Sequence, residues 1–195
     1  MRIILGSASP RRREILSSLG LRFEVLPPDI DEICDTHSPE EYVCKVSADK
    51  SRAVYLQNGK PQGALIVTAD TAVAIDDVIL GKPESKESAR LMLSMLSGRT
   101  HRVVTGVTVR LGDETITECE RTDVRFQPLG DDEIERYIST DEPYDKAGGY
   151  AVQGMAKSFI SELRGDYNNV VGFPDKLFLK MAHILLGHDL IIKTE

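Results

Sequence analysis

The stretch from His101 to Phe126 restricts the possible folds more than any other part of the chain. Residues 101–111 and 115–126 are rich in valine and threonine, β-branched types that suit a pleated strand, with Gly112-Asp113 between them. Two such runs around a glycine-containing turn predict a long antiparallel hairpin. A purely parallel sheet has no place for it. Elsewhere, short apolar runs alternate with helical stretches. Strands are predicted at 3–5, 23–26, 64–69, 72–75, 78–80 and 159–163. The combination specifies a mixed-sheet α/β fold with helices flanking the sheet.

Helix ends are well marked. Ser9 as N-cap, Pro10 at the first helical position and Gly20 past the end bound a helix reaching Leu19. Ser38-Pro39-Glu40-Glu41 reads as a capping box opening a helix to about Gln57, ended by Asn58-Gly59. Ser85 caps a helix through Met95 or Leu96, residues 131–138 form a short one, and 177–186 precede a stop at Gly187. Asp76-Asp77 marks a turn between two apolar runs. There is no internal repeat, low-complexity tract or linker, so residues 1–195 are read as one domain.

A formal charge of −7 argues against a general binder of nucleic-acid polymers, which needs a basic surface. No apolar run approaches membrane-spanning length, and the N-terminus has no signal-peptide h-region. Cys34, Cys44 and Cys119 cannot all pair and form no CxxC, which favours a reducing, cytoplasmic setting over a disulfide framework or a zinc site.

Three groups of residues carry possible chemistry. Ser7-Ala8-Ser9-Pro10-Arg11-Arg12-Arg13 lies between a strand and a helix. There, unpaired amides, serine hydroxyls and guanidinium forks suit a phosphate. A capped surface helix with solvated arginines accounts for the same residues, and the segment is not a Walker loop. Acids follow predicted strands: Asp29, Asp31 and Glu32 after Pro27-Pro28, and Asp70 directly after 64–69. Such carboxylates bind Mg²⁺ or take a proton from water, although a turn-forming aspartate has the same appearance. Lys50, Lys82 and Lys146 are surface lysines by default, and only the arginine cluster raises a phosphate reading. The histidines show no metal spacing, no serine sits in GxSxG, and His101 at a strand start reads as structural. The amides of Asn168-Asn169, within Gly165 to Pro174, have the donors and acceptors to read a base edge.

In order, the chain contains Ser7-Ala8-Ser9-Pro10-Arg11-Arg12, Asp31-Glu32, Lys50, Ala69-Asp70-Thr71, Gly81-Lys82-Pro83 and Ser97-Gly98-Arg99-Thr100-His101. Glu142-Pro143 through Gln153-Gly154 and Gly165 through Pro174 follow. This ordered set spans nearly the whole chain and closely resembles the Maf family of nucleotide pyrophosphatases. The resemblance implies an elongated mixed sheet of the Maf and ITPase-like type, flanked by helices, with a cleft between two lobes. It implies hydrolysis of a nucleoside triphosphate to monophosphate and pyrophosphate with Mg²⁺ or Mn²⁺, in a homodimer. Asp70 is then the general base, Glu32 and Asp70 hold the metal, and Lys82 completes the catalytic group. Ser7, Ser9, Arg11, Arg12, Lys50, Thr71, Lys146 and Gln153 contact the substrate. Asp145-Lys146-Ala147-Gly148 with Gln153 resembles the branch acting on dTTP and UTP. The branch acting on 7-methyl-GTP has Glu in place of Gln, and a purine substrate or a non-catalytic regulator of division are the rival readings. Ser51 and Phe173 stand where the family usually has alanine and leucine.

Overall fold

The computed structural model describes residues 1–30, 34, 36 and 38–190. The strands are β1 (Arg2–Leu5), β2 (Glu24–Val25), β3 (Ala64–Ile75), β4 (Val78–Leu80), β5 (Thr100–Leu111), β6 (Glu114–Phe126) and β7 (Ile160–Arg164). The helices are α1 (Pro10–Ser18), α2 (Pro39–Gln57), α3 (Lys86–Leu96), α4 (Asp131–Ile138), α5 (Tyr167–Val171) and α6 (Asp175–Leu186). None is long and apolar enough to cross a membrane among the described residues.

The strands form one mixed sheet in the order β2-β1-β3-β5-β6-β7, with β4 also paired to β3. The long hairpin is present, and β5 and β6 pair in register from Thr100 opposite Arg125 to Leu111 opposite Glu114. The two runs predicted as separate strands around Asp70 are instead one strand, β3, which pairs with β5 from Leu65 to Ala74. Aspartate is disfavoured in strands, but continuous pairing with β5 carries the backbone through it. Asp70 is therefore in mid-strand, not at a strand end.

The opposite edge of β3 is split. β1 pairs in parallel with Ala64 through Val67, and β4 pairs antiparallel with Val73 through Ile75. Between those two partners, residues 68–72 have a strand neighbour only in β5. Asp70 is at the middle of this gap. Asp76 and Asp77 form the expected hairpin tip, with φ of 48° and 61°.

Helices cover both faces. On one, α2 packs against Ile4, Ala64 and Ile66 through Val54 and Tyr55, and against Ala72 and Val104 through Val43. The approach is close because Gly106 has no side chain. A Cβ there would be 2.4 Å from the carbonyl oxygen of Val43, and small residues follow along the same contact. Thr68 donates to the carbonyl of Ser47 at 2.7 Å, and Ser47 is hydrogen-bonded to Thr108 at 3.0 Å. Ser51 is fully buried and its hydroxyl accepts from Arg110 Nε, a bond that alanine would not make.

The other face carries two apolar clusters. Leu65, Val67, Val107 and Val109 pack with α1 and α6, and Phe173 joins them beside Phe178. Val73, Ile75, Val103, Val124 and Phe126 pack with α3 and α4. Between the clusters runs a polar seam. Thr105 donates to the carbonyl of Asn169 at 2.9 Å, so Thr71 is the donor in its 2.9 Å bond to Thr105. The amide of Asn169 donates to Val103 O and Thr122 Oγ1. Asn169 is fully buried and Asn168 donates to Asp175, so these amides hold the fold and do not read a base.

Helix caps follow the sequence with one refinement. Ser9, Ser38 and Ser85 all cap as expected, and Ser85 with Ser88 makes the full reciprocal box. At Ser38 the return half runs through Thr36, which accepts from Ser38 N and donates to Glu41. His101 is structural. It is 2% exposed, its Nε2 lies 2.7 Å from the Tyr150 hydroxyl, and Phe126 and Tyr150 pack edge-on around it.

Burial lowers the His101 pKa to about 4. In the unfolded chain it titrates near 6.5, so between those values only the unfolded state takes the proton. Folding stability is thus intact above pH 6.5 and falls as pH drops towards 4, by about 3 kcal/mol from this group. Urea unfolding between pH 4 and 7 should show that decline, and His101→Phe should flatten it.

Candidate active site

The split edge of β3 opens into a cleft of about 980 Å³. The loop after β1 and the start of α1 form one wall, and the segments after β4 and around Tyr144–Ala147 form the other. Among the lining side chains, Arg11, Arg12, Lys50, Lys82 and Lys146 are cationic, against Asp70, Glu84 and Asp145. A local excess of cations in one concavity of an acidic protein favours a small polyanion there.

Asp70 projects from the α2 face of β3, the face on which Gly106 lets the helix approach. Lys50 reaches it from α2, with Nζ 2.7 Å from Oδ1. The two side chains are only 11% and 10% exposed. A charge pair so withdrawn from water is held by its geometry, since each member alone would be costly to bury.

Thr71 points to the opposite face, where Arg12 meets it. Arg12 Nη2 donates to Thr71 Oγ1 at 3.2 Å, Nη1 to Ser7 Oγ at 3.2 Å and Nε to the carbonyl of Gly172 at 2.8 Å. One guanidinium therefore joins the loop after β1, the middle of β3 and the end of α5. Gly172 has φ 113° and a Cβ there would press on Thr71 Oγ1 at 3.3 Å, so glycine keeps the clamp open. Arg11 Nε donates to the neighbouring Val171 carbonyl at 3.4 Å. Ser7 is buried and accepts from both Ser9 N and Arg12, which leaves its one proton to donate onward. Ser9 is half-buried and occupied as the cap of α1.

Lys82 is exposed on the lip of the cleft. Its segment is anchored by the bond from Gly148 N to Gly81 O at 2.9 Å. The Lys146 ammonium bonds to the carbonyl of Glu142 at 2.9 Å and to the Asp145 carboxylate. The cleft thus brings together Ser7, Ser9, Arg11, Arg12, Lys50, Asp70, Thr71, Lys82 and Lys146. Gln153 is exposed and does not line it. Asp29 is exposed too and off the lining, while Asp31 and Glu32 lie outside the described residues. Tyr42 and Tyr144 line the cleft without any motif to announce them. Tyr144 is anchored by its hydroxyl on the carbonyl of Ile138.

Comparison with known proteins places the chain in a family and a fold. The family model described as Maf-like protein matches residues 2–184. A dTTP/UTP pyrophosphatase of Symbiobacterium thermophilum is 45% identical, with 88% of each chain aligned. A dTTP/UTP pyrophosphatase of Thermococcus onnurineus is 43% identical over 95% of this chain and 98% of its own. Among solved structures, a HAM1 protein from Coxiella burnetii aligns over 96% of this chain and 99% of its own, with a TM-score of 0.57 and 15% identity. The Ham1 protein of Staphylococcus aureus gives 0.52 at 16% identity, with the same coverage. At such identities the likeness is one of fold.

Asp70→Asn removes the carboxylate from a charge pair whose two side chains are almost withdrawn from water. Its unfolding free energy, measured in urea, should fall by about 3 kcal/mol. Equal stability of the wild type and the single variant would contradict a buried ion pair here.

Proposed function

This chain belongs to the Maf-like protein family, and on that premise we propose that it hydrolyses dTTP and UTP to the nucleoside monophosphate and pyrophosphate. The observation that carries the reading is the buried Lys50–Asp70 pair at the floor of a cleft whose charged lining residues are five cations against three carboxylates. The relatives named above act on dTTP and UTP, and the Asp145-Lys146-Ala147-Gly148 segment with Gln153 resembles that branch. Residues 1–195 then make one catalytic domain. A homodimer and a cytoplasmic location belong to the same proposal, on the family resemblance.

In this mechanism, water attacks the α-phosphorus in line and pyrophosphate departs. Asp70 orients the water and accepts its proton, with Lys50 holding the carboxylate in place. Arg12, Lys50 and Lys82 face the developing phosphate charge, and Ser7 donates its remaining proton at the start of α1. Arg11, Thr71 and Lys146, which line the cleft, are assigned to substrate contact and base choice, and Gln153, outside the lining, is assigned with them on the family resemblance alone.

A divalent cation, Mg²⁺ or Mn²⁺, fits the donors present. Asp70 is a carboxylate at the gap, and no group of three or more His, Cys, Asp or Glu side chains able to cage a metal gathers among the described residues. A cation held by one or two carboxylates and by the substrate's own phosphate oxygens matches the habit of Mg²⁺. Glu32 is the second proposed ligand. When bound, the cation offsets phosphate charge and makes water a better nucleophile.

Incubating the protein with a panel of canonical and methylated triphosphates and Mg²⁺ or Mn²⁺, then separating the products, tests the reading. Monophosphate and pyrophosphate should appear, fastest from dTTP and UTP. Preference for 7-methyl-GTP would move the chain to the other branch. Tight binding without product would make it a sensor, and orthophosphate release would rule out the chemistry. Asp70→Asn should lose at least about 10²-fold in turnover, the usual contribution of a general base.

A further inference from the structure

Two of the three cysteines lie together on the face of the sheet that carries Asp70. Gly106 on β5 pairs with Asp70 on one side and with Cys119 of β6 on the other. Cross-strand partners project to the same face, so Cys119 stands beside the place where Gly106 has no side chain. That place is filled by the backbone of α2. A Cβ on Gly106 would be 2.8 Å from Cys44 N as well as 2.4 Å from Val43 O. The close approach sets Cys44 of α2 over the same glycine that Cys119 adjoins on β6. Both residues are half-buried, and Cys119 packs against Val43, Ala72 and Val104.

We infer that Cys44 and Cys119 are a reversible thiol–disulfide modification site whose closure ties α2 to β6 and slows turnover. The Cys44 thiol beside it lowers the Cys119 thiol to about 7, against burial and the carboxylates of Glu40, Glu120 and Glu118. Cys119 is therefore the thiolate that reacts first. With hydrogen peroxide as oxidant, its sulfur takes one oxygen to become a sulfenic acid and releases water. The sulfur of Cys44 then attacks that sulfenic sulfur and expels a second water, its proton leaving with the departing oxygen. In sum, two thiols and one peroxide give one disulfide and two waters. A dithiol reductant reverses the bond by exchange.

The consequence for the cleft follows from the helix. The sulfurs must contract to about 2.05 Å, yet α2 is already seated on Gly106 and has no room to move inwards. The adjustment falls on rotation of the helix and its side chains. Tyr42 and Lys50, which line the cleft, flank Cys44 on the same helix. Lys50 is about 9 Å further along it, so a twist at Cys44 is carried to the Lys50–Asp70 pair.

The test treats the wild type and Cys34→Ser with hydrogen peroxide, blocks remaining thiols and maps peptides without reduction. A peptide linked through Cys44 and Cys119, lighter by two hydrogens, is expected in both and absent from Cys44→Ser and Cys119→Ser. In parallel, pyrophosphate release from dTTP should fall on oxidation and return with dithiothreitol. Both serine variants should keep their reduced activity and lose the sensitivity. A link through Cys34, over-oxidation without a link, a linked protein with unchanged turnover, or sensitivity that persists in Cys119→Ser would each overturn the inference. Absence of pyrophosphate from reduced wild type would instead count against the proposed function, and the peptide map would then decide the modification site alone.

Discussion

The edge of β3 is the feature from which the rest of the molecule follows. A strand of 12 residues is long enough to carry different neighbours at its two ends. β1 takes the first part and β4 the last, while β5 runs along the whole opposite edge. The strand therefore spans two cores and remains rigid across the interval where one edge has no strand beside it. A groove opened by a missing neighbour in a continuous sheet needs no flexible hinge to keep its shape. Its floor comes from a strand hydrogen-bonded to β5 along its other edge, as a site that must position reacting groups requires.

That floor is usable only because α2 comes so close. Lys50 belongs to a helix that packs on the sheet through Ser47, Ser51 and the bare backbone of Gly106. With a larger residue at 106 the helix would stand further off, and the ion pair with Asp70 would open or admit water. The polar atoms in this contact are matched in turn, Thr68 to Ser47 and Ser47 to Thr108, so close packing is achieved without stranded hydroxyls. The buried charge pair and the small-residue contact are thus one design. Its cost is the desolvation of Lys50 and Asp70, and what it provides is a carboxylate of fixed position and charge.

Much of the fold was legible in the sequence because the signals were local. Ser9 and Ser85 state their helix starts through caps, residues 131–138 form the expected short helix without a side-chain cap, and the 101–126 hairpin is written in β-branched residues around a glycine turn. The errors arose where tertiary pairing overrode local preference. Asp70 looked like the end of a strand because aspartate usually is, and only pairing with β5 shows that the strand continues. Asn169 looked like a recognition amide because polarity does not reveal burial, and it proved to be a rivet in the seam. Nothing local marks Gly106 as the place where a helix backbone touches down, or Cys119 as the neighbour of Cys44. For the site, residue types and order brought nine of the named positions to one cleft, while Gln153 stayed outside it.

Arg12 shows how the site and the fold share one side chain. A guanidinium has five N–H donors in a fixed plane, and all three of its nitrogens are engaged, with Ser7, Thr71 and Gly172. Thr71 passes that bond to Thr105, and Thr105 passes it to Asn169, so the arginine ends a chain crossing the polar seam between the two apolar clusters. Anionic oxygen is a stronger partner than a threonine hydroxyl. A phosphate arriving in the cleft therefore competes for donors that the seam already uses. Whatever it takes from Thr71 loosens the seam, and whatever Gly172 retains keeps the arginine aimed at the gap in β3. Charge in the cleft and the junction of the two cores are coupled through this one planar group. Lysine, with a single nitrogen on a flexible stem, could not hold three such partners in a fixed plane.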